Sequence, residues 1–165
     1  MLNSLLKNKE YLRSVLFGIE DSLISTTGFL AGVTVGTSDK HIIIISTLIA
    51  ITIEGVSMGV GEYLSDDAVK DLDKLKRSAD KPLFSGAFLC ISYLLAGMIP
   101  FVPVLFFSSP LSLIISLIAA LLALFLLGYL KGELLHTSAM RGGIKILLVG
   151  GITTLLGMVV GFVLK

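Results

Sequence analysis

The sequence is poor in the charged residues that a water-soluble domain needs. They make up 15% of its 165 residues, whereas an ordinary soluble domain carries about 25%. The formal net charge is +1, so the chain lacks the strongly basic character of a nucleic-acid-binding protein. Hydrophobic residues make up 55% of the chain, and the mean hydropathy is +0.96. These values exclude a disordered chain, a charge-driven nucleic-acid binder and an ordinary soluble enzyme, and they predict that lipid surrounds most of the protein.

Cysteine and tryptophan are also scarce. The single cysteine, Cys90, excludes an internal disulfide and any CxxC metal or redox motif. Tryptophan is absent, so tyrosine and phenylalanine must supply the aromatic side chains at the membrane surfaces. The sequence contains no P-loop, HExxH, GxSxG or dinucleotide fingerprint, and it therefore predicts neither an enzyme nor a protein with a prosthetic group.

Five apolar segments are long enough to be transmembrane helices, each of which needs about 20 residues. The predicted spans are residues 15–35, 42–60, 83–105, 111–129 and 144–164. Residues 63–81 form the one sizeable polar connection, and their spacing predicts that the second helix continues into it before ending ahead of Pro82. We therefore predict an all-α membrane protein with five transmembrane helices in a single transmembrane domain, residues 1–165.

Lysine and arginine residues are distributed unevenly between the two sides of these spans. Eleven of them precede the first span or lie in the second–third and fourth–fifth connections, and two lie on the other side. Because positively charged loops stay in the cytoplasm, we expect a cytoplasmic N-terminus and an external C-terminus. This division also fits an odd number of spans. With no recognisable targeting segment, the expected location is the plasma membrane of a prokaryotic cell.

Acidic residues inside the apolar spans are the most informative feature. Glu20 and Asp21 lie near the cytoplasmic end of the first span, and Glu54 lies deep in the second. Neither span contains a lysine or arginine to pair with them. Since a charged side chain at the bilayer centre costs about 2.5–3.5 kcal/mol, such residues usually mark a path for ions or protons. The alternative is that they are protonated and hydrogen-bonded to neighbouring helices.

On the second helix, which continues beyond the span, one face carries three acids and a methionine at intervals of four residues: Glu54, Met58, Glu62 and Asp66. The face extends from mid-membrane to the cytoplasm. Carboxylate oxygens combined with a thioether sulfur suit a divalent transition metal, although an isolated methionine is usually a packing residue. The predicted metal ligands are Asp21, Glu54, Met58 and Glu62, and the predicted accessory metal or proton sites are Glu20 and Asp66.

Small and polar residues follow one face of the first span with a period of about 3.5 residues. This helix-packing seam consists of Ser14, Gly18, Ser25, Gly28 and Gly32, with Asp21 among them. Small residues allow membrane helices to approach closely, so the seam places Asp21 at a helix–helix interface. Its partner is either another helix of the same chain or the first helix of a second copy across a two-fold axis.

Two stretches resemble motifs of the vacuolar iron transporter family. Phe17-Gly-Ile-Glu-Asp-Ser-Leu-Ile-Ser25 is similar to its first-helix motif, and Ser57-Met-Gly-Val-Gly-Glu-Tyr-Leu-Ser65 is similar to its second-helix motif. The resemblance covers about residues 11–165. It implies a homodimer of five-helix subunits that moves Fe²⁺ or Mn²⁺ out of the cytosol between the subunits, with protons as counter-ions. By position, the family's pathway residues match Asp21, Met58 and Glu62.

The sequence departs from that family in several places, among them Glu20 where asparagine is common and Ser22 where glycine is common. The connection 63–81 is much shorter than the long cytoplasmic metal-binding domain of well-studied members, and Glu54 stands where the family usually has a small residue. We predict a transporter that exchanges Fe²⁺ or Mn²⁺ for protons along a dimer-interface path. The alternatives are a passive divalent-cation channel and a non-transporting membrane scaffold whose acids are protonated packing groups.

Overall fold

The computed structural model describes residues 9–72, 81–134 and 136–165. Regular structure in this part of the chain is entirely helical, as the sequence predicts. The five helices are α1 (Lys9–Gly36), α2 (Lys40–Leu72), α3 (Pro82–Phe106), α4 (Leu111–Leu134) and α5 (Ala139–Val163). α2 continues into the predicted polar connection as far as Leu72, and residues 73–80 of that connection lie outside the described residues.

Four of the helices, α2 to α5, are long and apolar enough to cross a membrane. The chain is therefore an integral membrane protein. α1 has sufficient length at 28 residues, but it carries Glu20, Asp21 and several hydroxyl side chains. The sequence predicts five spans, whereas composition alone supports four in the described part of the chain. Membrane crossing by α1 stays a prediction.

α1 occupies the centre of the bundle. It contacts all four of the other helices and packs most extensively against α3 and α5. Its buried Leu23 packs with Ala96 of α3 and Leu124 of α4, and its buried Leu30 packs with Ile43 of α2. Because protein rather than lipid surrounds much of α1, a helix with this many polar side chains can be accommodated at membrane depth.

The glycines of the predicted seam pack within the chain. Gly28 and Gly32 lie against the backbone of Gly157 on α5, and a Cβ atom added at Gly32 would come within 2.7 Å of the Gly157 carbonyl oxygen. Gly18 lies against α3 instead. The absence of side chains thus brings α1 into backbone contact with two neighbours. The sequence allows these glycines to pack either against another helix of the same chain or against a second copy. In the structure, they pack against helices of the same chain.

An aromatic cluster holds the beginning of α1 against the beginning of α3. The rings of Tyr11 and Phe88 have centroids 5.5 Å apart, and Phe84 packs beside both. The Tyr11 hydroxyl also accepts the backbone N–H of Lys81 at 3.0 Å. These contacts fix the position of the first turns of α1, from which Arg13 and Ser14 project.

The contact between α1 and α5 can be tested with an alanine at Gly157. A Cβ atom there would collide with the Gly28 carbonyl group, and overpacking of this kind costs about 1–3 kcal/mol. We expect Gly157→Ala to lower the thermal unfolding midpoint of the protein purified in detergent.

Gly151 on the same helix provides the matched control. An added Cβ atom has no neighbour within 4 Å there, so Gly151→Ala should keep or raise the midpoint because alanine is the better helix former. Equal losses of stability in the two variants would contradict the close approach of the helices.

Candidate functional site at the interface of α1 and α2

The predicted ligands lie along the interface between α1 and α2, which run antiparallel. Ser14 of α1 contacts Glu62 of α2, and about three turns further along α1, Ser25 contacts Glu54. The other two predicted ligands lie between these contacts: Asp21 on α1 and Met58 on α2. All four predicted ligands are half-buried, so they belong to one partly covered row rather than to a sealed core.

Two hydroxyl groups hold the Glu54 carboxylate. The Tyr93 hydroxyl of α3 donates a hydrogen bond to Oε2 of Glu54. Ser25 Oγ lies 3.1 Å from the same oxygen and 2.6 Å from the Tyr93 hydroxyl oxygen. Tyr93 is itself fully buried, and its carbonyl oxygen accepts the Ser22 hydroxyl at 2.6 Å. The network joins three helices and fixes Glu54 without a basic group.

The second oxygen of Glu54, Oε1, makes no hydrogen bond within residues 9–72, 81–134 and 136–165. The Glu54 carboxyl group is also close enough to that of Asp21 for the two charges to interact. Within the same ranges, Asp21 has no ion pair. Two neighbouring carboxylates without a basic partner favour the uptake of a cation or of protons, because like charges otherwise repel each other.

The expectation that the membrane acids lack basic partners is wrong for Glu20. Lys131 of α4 reaches it, with Nζ 2.8 Å from Oε1. Lys131 belongs to the fourth helix, so a search for basic residues within the first two spans alone could not find it. Lys131 lies near the predicted cytoplasmic end of the fourth span, at the depth predicted for Glu20, and this shared depth was the available signal.

Arg13 also pairs with the acid at the Glu62 end of the row and with the neighbouring Asp66. Arg13 Nη2 lies 2.9 Å from Oε1 of Glu62 and 3.9 Å from Oδ1 of Asp66. Ser14 Oγ donates to the same Glu62 oxygen at 2.7 Å. By sequence alone, Arg13 belongs only to the group of basic residues on the predicted cytoplasmic side, and no local pattern indicates this contact. The row therefore changes along its length, from ion-paired acids at Glu62 to unpaired carboxylates at Glu54 and Asp21.

A cavity of about 790 Å³ opens beside the ion-paired end of the row. Its charged lining residues are Lys9, Arg13, Glu20, Glu62 and Lys131. Glu62 belongs both to this cavity and to the row, so the cavity connects the end of the bundle with the α1–α2 interface.

No compact metal centre forms among the described residues of one chain. Nowhere among them do three histidine, cysteine, aspartate or glutamate side chains lie close enough together to hold a metal ion. Glu54, Glu62 and Asp66 follow one another on α2 at intervals of about 6–12 Å along the helix axis. A single copy therefore presents its carboxylates as a row, in which an ion would contact few groups at a time.

Comparisons with known proteins support a single family. A model of the VIT family matches residues 12–81 and 67–162. Vacuolar iron transporter homolog 2 of Arabidopsis thaliana is 24% identical, across 92% of this chain and 87% of its own length. Homolog 1 of the same plant is also 24% identical, with 92% and 86% covered. VIT-like transporter 1b of Glycine max is 22% identical, with 92% and 79% covered.

The hydroxyl network at Glu54 predicts a specific loss of stability. Tyr93→Phe removes a buried donor to a carboxylate, and loss of such a partner costs about 1–3 kcal/mol. We expect a lower thermal unfolding midpoint in detergent. Tyr129 is 37% exposed, so Tyr129→Phe serves as the control and should leave the midpoint unchanged. Equal midpoints for both variants would show that Tyr93 does not hold Glu54.

Proposed function

This chain belongs to the VIT family, and on that premise we propose that it transports a divalent transition metal ion, Fe²⁺ or Mn²⁺, out of the cytosol. The names of its relatives, vacuolar iron transporter homologs 1 and 2, support iron as a substrate class. The observation that carries the proposal is the neighbouring pair Asp21 and Glu54, which have no basic partner in the described part of the chain. An arriving cation would supply the missing positive charge.

The order of the row supports a path through it. A cation enters from the cavity at Glu62, passes the Met58 sulfur and reaches Asp21 and Glu54. Oxygen ligands alone would suit Ca²⁺ or Mg²⁺ equally well, whereas a thioether in the path favours softer transition metals. Glu20 and Asp66, each within reach of a basic side chain, serve as accessory metal or proton sites at the entrance.

We further propose that two copies complete the site as a homodimer. Half-buried carboxylates facing lipid would be costly, so a polar surface must cover them. α1 keeps an uncovered face in which Phe17 is 47% and Phe29 38% exposed, on either side of Asp21 and Ser25. A second copy on this face would bring the two Asp21 residues together and add the ligands that one chain lacks. The first helices would then lie at the two-fold axis.

Exchange with protons follows from the chemistry of the ligands. Carboxylates bind a metal ion only when they are deprotonated, so metal and protons compete for Asp21 and Glu54. Protons that bind these carboxylates from the outer side would release the metal there. The same protons would then be carried to the cytosol. In this arrangement, the N-terminus lies in the cytoplasm and the C-terminus on the outer side of a single transmembrane domain.

One observation favours the alternative of a non-transporting scaffold. Glu54 already has two hydroxyl partners, and this arrangement also suits a protonated side chain that joins helices. A scaffold would show no metal flux, so transport measurements separate the two functions.

Metal flux into proteoliposomes tests the path. We expect Asp21→Ala and Met58→Ala to lower the initial rate of Mn²⁺ or Fe²⁺ uptake about tenfold or more, since losing about 1.4 kcal/mol of binding is a factor of ten. Asp67→Ala, on the exposed side of α2, and Met98→Ala, on α3, are the controls and should keep the wild-type rate. Wild-type flux in both path variants would reject the path.

Proton coupling is tested in the same vesicles with a pH-sensitive dye inside. An imposed Mn²⁺ gradient should drive protons in the opposite direction. A pH gradient that is acidic on the side to which Mn²⁺ moves should accelerate Mn²⁺ flux, and the reverse gradient should slow it, because both ligands compete for the same carboxylates. Flux that saturates poorly and ignores the pH gradient would favour a passive channel instead.

A further inference from the structure

We propose that Arg13 is a tethered counter-ion: its guanidinium group occupies the Glu62 carboxylate between transport events, and an entering divalent cation displaces it. The inference rests on the proposed function, because it requires that ions enter at Glu62. It adds a residue that controls which cations gain access to the path.

The geometry places one guanidinium nitrogen between two carboxylates. Arg13 Nη2 is 2.9 Å from Oε1 of Glu62 and 3.9 Å from Oδ1 of Asp66. The Arg13 side chain is 66% exposed, whereas those of Glu62 and Asp66 are 14% and 20% exposed. The acids thus lie recessed beneath the arginine, in the position that a cation arriving from the cavity would have to reach.

The anchoring of Glu62 differs from that of Arg13. Ser14 is buried, and its hydroxyl holds Oε1 of Glu62 at 2.7 Å from inside the bundle. Arg13 contacts Glu62 from the exposed side. Among the described residues, its only ion pairs are those with Glu62 and Asp66. The guanidinium group can therefore leave without releasing the carboxylate, which stays in place to receive another cation.

The charges of the cavity make displacement necessary. Three basic side chains line it, Lys9, Arg13 and Lys131, against two acidic ones, Glu20 and Glu62. Glu20 is already paired with Lys131 at 2.8 Å. With Arg13 in place, an arriving cation meets an excess of positive charge and no free carboxylate. When Arg13 swings into the cavity, Glu62 and Asp66 become available together.

The weakness of an exposed ion pair sets the size of the effect. Such a pair changes an equilibrium constant by a factor of about two to five. A divalent ion that binds both carboxylates carries twice the charge of the guanidinium group and can overcome this competition. A monovalent ion such as K⁺ carries no more charge than the group that it must replace. Arg13 therefore discriminates against monovalent cations at the entrance.

Equilibrium Mn²⁺ binding to the purified full chain in detergent tests this role. We expect Arg13→Gln to lower the apparent Kd for Mn²⁺ about two- to fivefold and to make the binding more sensitive to added K⁺. Arg13→Lys keeps a competing charge and should bind Mn²⁺ less tightly than Arg13→Gln does. Arg141→Gln is the matched control, because Arg141 is exposed on α5 and forms no ion pair with the described residues, and its Kd should equal that of the wild type.

A Glu62→Gln variant separates failure of this inference from failure of the proposed function. We expect Glu62→Gln to weaken Mn²⁺ binding and to abolish the effect of Arg13→Gln in the double variant. If Glu62→Gln weakens binding but Arg13→Gln leaves it unchanged or weaker, the entry path stands and the role of Arg13 is overturned. If Glu62→Gln has no effect, entry at Glu62 is overturned together with that role. Equal affinities of Arg13→Lys and Arg13→Gln would also overturn the inference, since the charge would then be irrelevant.

Discussion

The cost of negative charge at membrane depth governs the arrangement of this protein. A carboxylate in an apolar surround needs a compensating cation, a hydrogen-bond donor or a proton. The structure compensates its acids in different ways: Glu20 and Glu62 by basic side chains, and Glu54 by two hydroxyl groups. Asp21 has neither a basic partner nor a hydrogen-bond donor among the described residues. A transported cation or a proton would be the remaining form of compensation.

The position of α1 follows from the same constraint. A helix that carries two adjacent acids is a poor membrane span when lipid surrounds it, and α1 instead contacts every other helix of the bundle. Glycine contacts with α5 and aromatic contacts with α3 determine where it lies. Packing of small residues against α5 and α3 thus places Asp21 beside α2 and leaves Phe17 and Phe29 of α1 exposed.

The row of acids changes in character along its length. At one end of the row, Glu62 is paired with the exposed side chain of Arg13, and at the other end Glu54 is held by the buried Tyr93. In the proposed transport path, weak pairing at Glu62 would let an entering cation bind and move on. The fixed carboxylate of Glu54 would then be the place where a metal ion and a proton compete.

The sequence by itself determined the class of the protein, the five helices and the face of α2 that bears Glu54, Met58 and Glu62, because hydropathy and helical periodicity are local properties. The motifs around Asp21 and Glu62 also identified the family. Only the tertiary structure decided that Lys131 pairs with Glu20, that Arg13 covers Glu62 and that Tyr93 holds Glu54. Each of these contacts joins residues far apart in the chain. No local pattern specifies which helices become neighbours or how they are aligned along their axes. The same reason explains why the seam glycines alone could not reveal that α3 and α5 are their partners.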